Sequence, residues 1–258
     1  MNFHLGKKAP RRLMSTPALG DFLDKATAWP AVPAQGWEYS PLPFTLDMLG
    51  NDVVGDCVIA AAMHYAQIET ANTGNPLTPT TALALQTYAD ITGYDPSQTD
   101  ANGNNPTDNG TDFEQQLFPY WQKTGIPLLD KNGKTVLHTI KGFAALDLTS
   151  VAQQRYALRL FGGKLTGFNC PQSIVGNTTN WNDPSGPIAG GHGVTEPGQG
   201  AAGWHTISWG ALIPGTWAFS QALADEMYIV TTDAWINAQG KSPSGLDLNG
   251  LLAAMAAL

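Results

Sequence analysis

Cys57 and His192 are the two residues whose settings invite chemistry. Cys57 follows a Gly-Asp turn and opens a long apolar run with no Gly or Pro, CVIAAAMHYAQIETAN. A helix starting there places the thiol at the positive end of the helix dipole, beside backbone N–H groups without intrahelical partners. That setting favours a thiolate, the nucleophilic form of cysteine. A small buried hydrophobe is the bland reading of the same residue. His192 lies 135 residues later in Gly-Gly-His-Gly, where small neighbours leave the imidazole uncrowded. A single Cys with a distant His is the pattern of a nucleophile and its base, against the ordinary role of a structural histidine. His64 is too far along the helix from Cys57 to serve as base, about 10 Å at roughly 1.5 Å per residue, and reads as structural. His205 and Cys170 read as packing residues, although pairing of Cys57 with Cys170 in a disulfide is an open alternative that would abolish nucleophilic chemistry.

The elements that must position these groups follow from pattern. Residues 1–45 read as an extended arm broken by Pro10, Pro17, Pro30, Pro33, Pro41 and Pro43, with one short helix at 16–27. Helices are expected at 57–72 with Asp56 as N-cap, at 78–92 and at 112–124. Strands are expected at 136–146, 164–170, 190–196, 203–210 and 227–232, with helices at 148–161 and after Thr216, and a final helix at 246–258. Helices first and strands later indicate an α+β protein, with a helical lobe over about 46–130 and a sheet lobe over about 131–258.

Composition narrows the function. Only 13% of residues are charged and the net charge is −8. Without a basic stripe the chain is not built to track a phosphate backbone, so no nucleic-acid partner is expected. No apolar run is long enough to span a membrane. The basic N-terminus lacks a signal-peptide core, so secretion by that route is not expected. Two cysteines and scattered histidines give no metal-ligand spacing, and no cofactor is implied. The polar loop 94–111 faintly matches a calcium loop. Counted from Asp100, however, Asn105 and Thr111 stand where Gly and Glu belong, so it reads as a solvated turn. The 97 residues between Lys25 and Lys123 hold 11 acids and no Lys or Arg. The basic cluster at 7–12 is therefore expected to dock on an acidic face of this chain or of a neighbour.

Taken together, Asn51-Asp52-Val53-Val54-Gly55-Asp56-Cys57, then Gly190-Gly191-His192-Gly193, then Ser208-Trp209-Gly210, resemble the papain-like cysteine peptidases. The order is also similar to small phage and bacterial papain-fold proteins with a GND…GDC signature, here Gly50 to Cys57. Their ending matches Trp209, Gly210, Trp217, Phe219, Asp225, Glu226 and Tyr228. The resemblance implies a two-lobe fold and a peptidase or amidase acting on a peptide or protein substrate. It makes Cys57 the nucleophile, His192 the base, and the Asn51 amide with the Cys57 N–H the oxyanion hole. The family's His-orienting Asn falls at Ile207, so either Ser208 or Thr206 orients His192 or the pair acts as a dyad. Trp209 and Asp56 are further candidates for support, and a carboxylate beside the nucleophile opposes thiolate formation. No long inhibitory pro-segment is legible. The alternative is a catalytically degenerate papain-fold binding or structural protein, such as a phage capsid or tail component contacting neighbouring subunits. A phage-encoded chain would reside in host cytoplasm or virion.

Overall fold

The computed structural model of the chain describes residues 3–23, 37–38, 45–200, 202–235, 249–250 and 252–253. A two-residue strand, β1 (Trp37–Glu38), is followed by α1 (Cys57–Asn72). Every residue of α1 from Cys57 to Thr70 is buried. A helix apolar on all sides is stable only when packed all round, and α1 is enclosed by α2 (Thr81–Thr92), α3 (Phe118–Lys123) and the sheet. Thr80 caps α2 by accepting the Leu83 N–H at 3.3 Å, and left-handed Gly93 ends it. The expected helix at 112–124 has a π-helical first part, Phe113–Leu117, leading into α3 at Pro119, which has no N–H to give.

Helix α1 starts where the sequence places it, yet Asp56 does not cap it. Its φ of −96° and ψ of 16° are not the extended geometry in which a cap side chain reaches back. The expected strand at 136–146 is two strands. β3 (Thr135–His138) forms a hairpin with β2 (Ile126–Leu129), whereas β4 (Gly142–Ala145) joins the main sheet beside β9 (Ala224–Thr231). Period-2 patterning reports extended backbone but not which sheet receives it. The expected helix at 16–27 is, in its described part, a short 3₁₀ turn at Leu19–Phe22. The final helix at 246–258 falls largely outside the described residues.

The main sheet is antiparallel throughout, in the order β4-β9-β5-β6-β7-β8, with β1 also pairing β6. Here β5 is Lys164–Pro171, β6 Ile188–Gln199, β7 Gly203–Ser208 and β8 Ala211–Thr216. α4 (Val151–Phe161), capped by Ser150, precedes β5, and α5 (Trp217–Leu223), capped by Thr216, precedes β9. One core surrounds α1, and a second, aromatic core gathers Phe168, Trp181, Trp204, Trp209 and Phe219 beside the sheet. Among the described residues no helix is long and apolar enough to cross a membrane, and no cluster of ligating side chains could hold a metal.

Candidate active site

Strand alternation decides which residues meet His192. Phe168 of β5 stands opposite His192 of β6, and Ile207 of β7 stands opposite Thr195. His192 and Thr195 are three residues apart and so face opposite sides of the sheet, which puts Ile207 on the wrong side and Ser208 on the right one. Ser208 Oγ lies 2.7 Å from His192 Nε2. The Trp209 ring stacks on the imidazole at 4.5 Å between centroids and 16° between planes, and Trp181 flanks it at 6.0 Å. With Nε2 engaged, Nδ1 is left with no hydrogen-bond partner.

Cys57 Sγ accepts the backbone N–H of Gly193, the residue after His192, at 3.4 Å. The structure thus brings the nucleophile candidate to within one residue of the base candidate. Thiol and imidazole nevertheless share no hydrogen bond. Both are fully shielded from solvent, Cys57 at 1% exposure and His192 at 1%. Burial pushes the Cys57 thiol up to about 11, the N–H groups of Gly193 and Gly6 and the charge of Lys7 pulling against it and Asp56 adding to it. Burial, with the Lys7 charge, pushes His192 down to about 3. In this closed form both groups are neutral at pH 7. Cys57 and Cys170 are both free thiols, so the disulfide alternative is not realised.

Asn51 is 3% exposed and its amide donates to the carbonyl oxygens of His4 at 3.1 Å and Val54 at 3.3 Å. Asp56 is fully buried with neither carboxylate oxygen hydrogen-bonded, and burial followed by the Asp108 charge raises its pKa well above the usual carboxylate range. It is a buried carboxyl beside the nucleophile rather than a helix cap. His64 is a core histidine, Nε2 lying 3.0 Å from the Asp47 carbonyl and Nδ1 3.2 Å from the Gln67 side-chain amide.

Sequence reasoning missed the part played by the arm. Residues 3–8 run directly over Cys57. The Lys7 N–H donates to the Gly191 carbonyl at 3.0 Å, the Lys8 N–H to the Thr111 carbonyl at 2.9 Å, and the Thr111 N–H to the Gly6 carbonyl at 2.8 Å. Lys7 Nζ, its side chain 1% exposed, sits 2.9 Å from Glu226 Oε1 and 3.1 Å from Asp225 Oδ2. Of the basic cluster, Lys7 thus docks on acids of this chain, while Lys8 Nζ lies on Gln116 Oε1 at 2.9 Å and Arg11 and Arg12 are exposed. The signal in the sequence was the Asp225-Glu226 pair in an otherwise apolar strand. Behind it, Tyr228 Oη lies 2.8 Å from Glu226 Oε2 and 2.7 Å from Glu114 Oε1. Glu114 Oε2 accepts the Leu13 N–H at 2.6 Å and the Thr16 hydroxyl at 2.8 Å.

A thiol at the head of a buried helix, set against an antiparallel sheet that carries an imidazole under a tryptophan, is the architecture of the papain-like cysteine proteases. Solved structures of that class superpose on this chain. Xylellain, a cysteine protease from Xylella fastidiosa, does so with a TM-score of 0.64 at 13% identity, covering 90% of this chain and 97% of that one. proCathepsin B S9 from Trypanosoma congolense gives 0.57 at 13% identity, covering 88% and 86%. The bromelain protease from Ananas comosus gives 0.54 at 16% identity, covering 78% and 100%. The chain has the papain-like α+β fold. No protein-family model and no curated protein sequence matches it.

Proposed function

We propose that this chain is a papain-fold thiol hydrolase, a peptidase or amidase working through Cys57 and His192. The observation that carries the reading is the arrangement around His192. Ser208 holds Nε2, Trp209 covers the ring, and Nδ1 is left without a partner one residue from the strand N–H that touches Cys57 Sγ. In the reaction the Cys57 sulfur attacks the carbonyl carbon of the scissile amide, forming an S–C bond while the C=O electron pair moves to oxygen. His192 takes the thiol proton and gives it to the departing amine nitrogen as the C–N bond breaks. Water then hydrolyses the thioester, with His192 as base. Asn51 Nδ2 and the Cys57 N–H supply donors to the oxyanion, each worth about 2.7–4 kcal/mol in the transition state. Ser208 takes the orienting part, because Ile207 faces the other side of the sheet.

The test is turnover of fluorogenic peptides by the full chain and by Cys57→Ala, with the fold checked by circular dichroism. Loss of all turnover in a folded Cys57→Ala chain supports the reading. Turnover retained in that variant refutes it. One observation favours a second reading, a papain-fold binding or structural protein, including the phage-particle component suggested by motif order. Cys57 is covered and makes no hydrogen bond to His192. Absence of turnover after the arm is expelled, with ordered assembly of the intact chain, would favour that alternative.

A further inference from the structure

The arm meets the site with more specificity than a packing segment needs. Gly6 is wedged so tightly that an added Cβ would stand 1.7 Å from the Gly55 carbonyl oxygen. On the facing walls, a Cβ on Gly110 would stand 1.9 Å from the Gly6 carbonyl oxygen, and one on Gly191 2.2 Å from the Lys7 carbonyl oxygen. Glycine on both sides is what lets backbone lie against backbone. The contacts then match what a bound peptide requires. Main-chain hydrogen bonds run to Thr111 on one side and to Gly191 on the other. The His4 carbonyl oxygen takes the Asn51 amide, the donor otherwise free for an oxyanion. Phe3 packs on Trp209 at 5.3 Å between centroids, and Leu5 lies against Gly190.

One side chain enters a charged pocket. The Lys7 stem passes over Gly167, whose missing side chain leaves the room, since a Cβ there would be 2.6 Å from Lys7 Cε. Its ammonium ends between Asp225 and Glu226. Asp225, its side chain 18% exposed, and the buried Glu226 both face the cleft, where a carboxylate is costly unless a cation meets it. From the arm, the Gly6 N–H acts on the Cys57 thiol, pulling its pKa down against burial as the Gly193 N–H does.

We infer that residues 3–8 occupy the substrate groove as a tethered, uncleaved occupant, and that the Asp225–Glu226 pocket over Gly167 selects a Lys or Arg side chain in peptides that displace it. This rests on the reading of the groove as a peptide site. A tethered segment competes at millimolar effective concentration, so the parent chain keeps Cys57 covered and an exogenous peptide must outcompete it. Displacement readmits water to a pair that burial holds neutral.

Two full-chain variants expel the arm by different means. Gly6→Val collides with Gly55, and Lys7→Glu places a third acid in the pocket. Iodoacetamide labelling of Cys57, mapped by mass spectrometry with Cys170 as internal control, should speed up at least about tenfold in both. Equal labelling in parent and variants overturns the occupancy. Specificity is read by binding, which needs no turnover. In Cys57→Ala/Gly6→Val, or in Cys57→Ala/Lys7→Glu where the first misfolds, fluorescence anisotropy follows labelled Phe-His-Leu-Gly-Lys-Lys. The same peptide with Glu at its fifth position is the comparison. The Lys peptide should bind at least about tenfold tighter, and adding Asp225→Asn/Glu226→Gln should erase the difference. Equal binding of the two peptides, or none, overturns the pocket assignment. A chain that binds the Lys peptide selectively but never cleaves any peptide refutes the hydrolase reading and leaves this one standing. Cleavage without a preference for Lys or Arg does the reverse.

Discussion

Glu226→Gln is expected to leave the folded chain at least as stable as the parent at pH 7, although it deletes a carboxyl 2.9 Å from Lys7 Nζ. The reason lies in counting protons. The Tyr228 hydroxyl stands within hydrogen-bond distance of both Glu114 and Glu226 but has one proton to give. Glu114 already accepts from Leu13 and Thr16 through Oε2, and Tyr228 reaches its Oε1 at 2.7 Å. A proton held on Glu226 and given to Tyr228, while Tyr228 gives its own to Glu114, completes the count, and burial raises the Glu226 pKa in that direction, with Lys7 and Tyr228 pulling the other way. A Gln at 226 reproduces this pattern, its N–H directed at Tyr228 and its oxygen at Lys7. The unfolded chain ionises Glu226 above about pH 4.3, whereas the folded chain does not until higher pH. The parent therefore loses stability relative to Glu226→Gln as pH rises through that window, by at most about 1.4 kcal/mol per pH unit. Urea denaturation of both chains at pH 4 and at pH 7 measures the difference. Near-equality at pH 4 with an advantage for Gln at pH 7 is expected. If the variant instead loses about 1.5–3 kcal/mol at pH 7, the worth of a charge-assisted hydrogen bond, Glu226 is an ionised partner of Lys7 and the proton count is wrong.

Other substitutions probe the site and the core. Ser208→Ala strips His192 Nε2 of its 2.7 Å partner. On fluorogenic peptides it should lower kcat/KM by about 5- to 150-fold, corresponding to about 1–3 kcal/mol, and Ser208→Asn should restore part of the loss and the parent pH profile. Asp56→Asn removes a fully buried carboxyl whose folded pKa is raised. Its stability relative to the parent should improve as pH rises above about 3.9 and show no gain below it, as followed by thermal melts from pH 3 to 8. Lys164 and Glu196 form a wholly buried pair at 2.6 Å. Lys164→Met alone should cost about 3–5 kcal/mol in urea, and Lys164→Met/Glu196→Leu should recover most of it.

The helix carrying Cys57 was legible because sixteen residues without Gly or Pro, apolar on every face, have few other ways to fold. The GGHG segment announced a strand that tolerates close approach, and Gly191 and Gly193 are where the arm and α1 come near. The orienting residue was not settled by spacing, because counting from the family motif lands on Ile207. Only the register between β6 and β7 shows that Ser208 shares the face of His192. Asp56 was in the right place for a cap, but cap chemistry depends on backbone torsion, which residue type does not report. The arm was read as extended and basic, yet its partners lie about 45 to 220 residues away along the chain. Local pattern has no access to such pairings, and only charge complementarity hinted at them.

The same separation sets an order of events during synthesis. Lys7 and Asp225 are 218 residues apart. At about 5–20 residues per second, a ribosome needs roughly 10–45 s after making the first to deliver the second. From the synthesis of α1 until then, the segment bearing Cys57 exists without the strand that anchors its cover. The nascent chain therefore passes through a stage in which its thiol is open to oxidants, and closure of the groove waits on the delivery of β9.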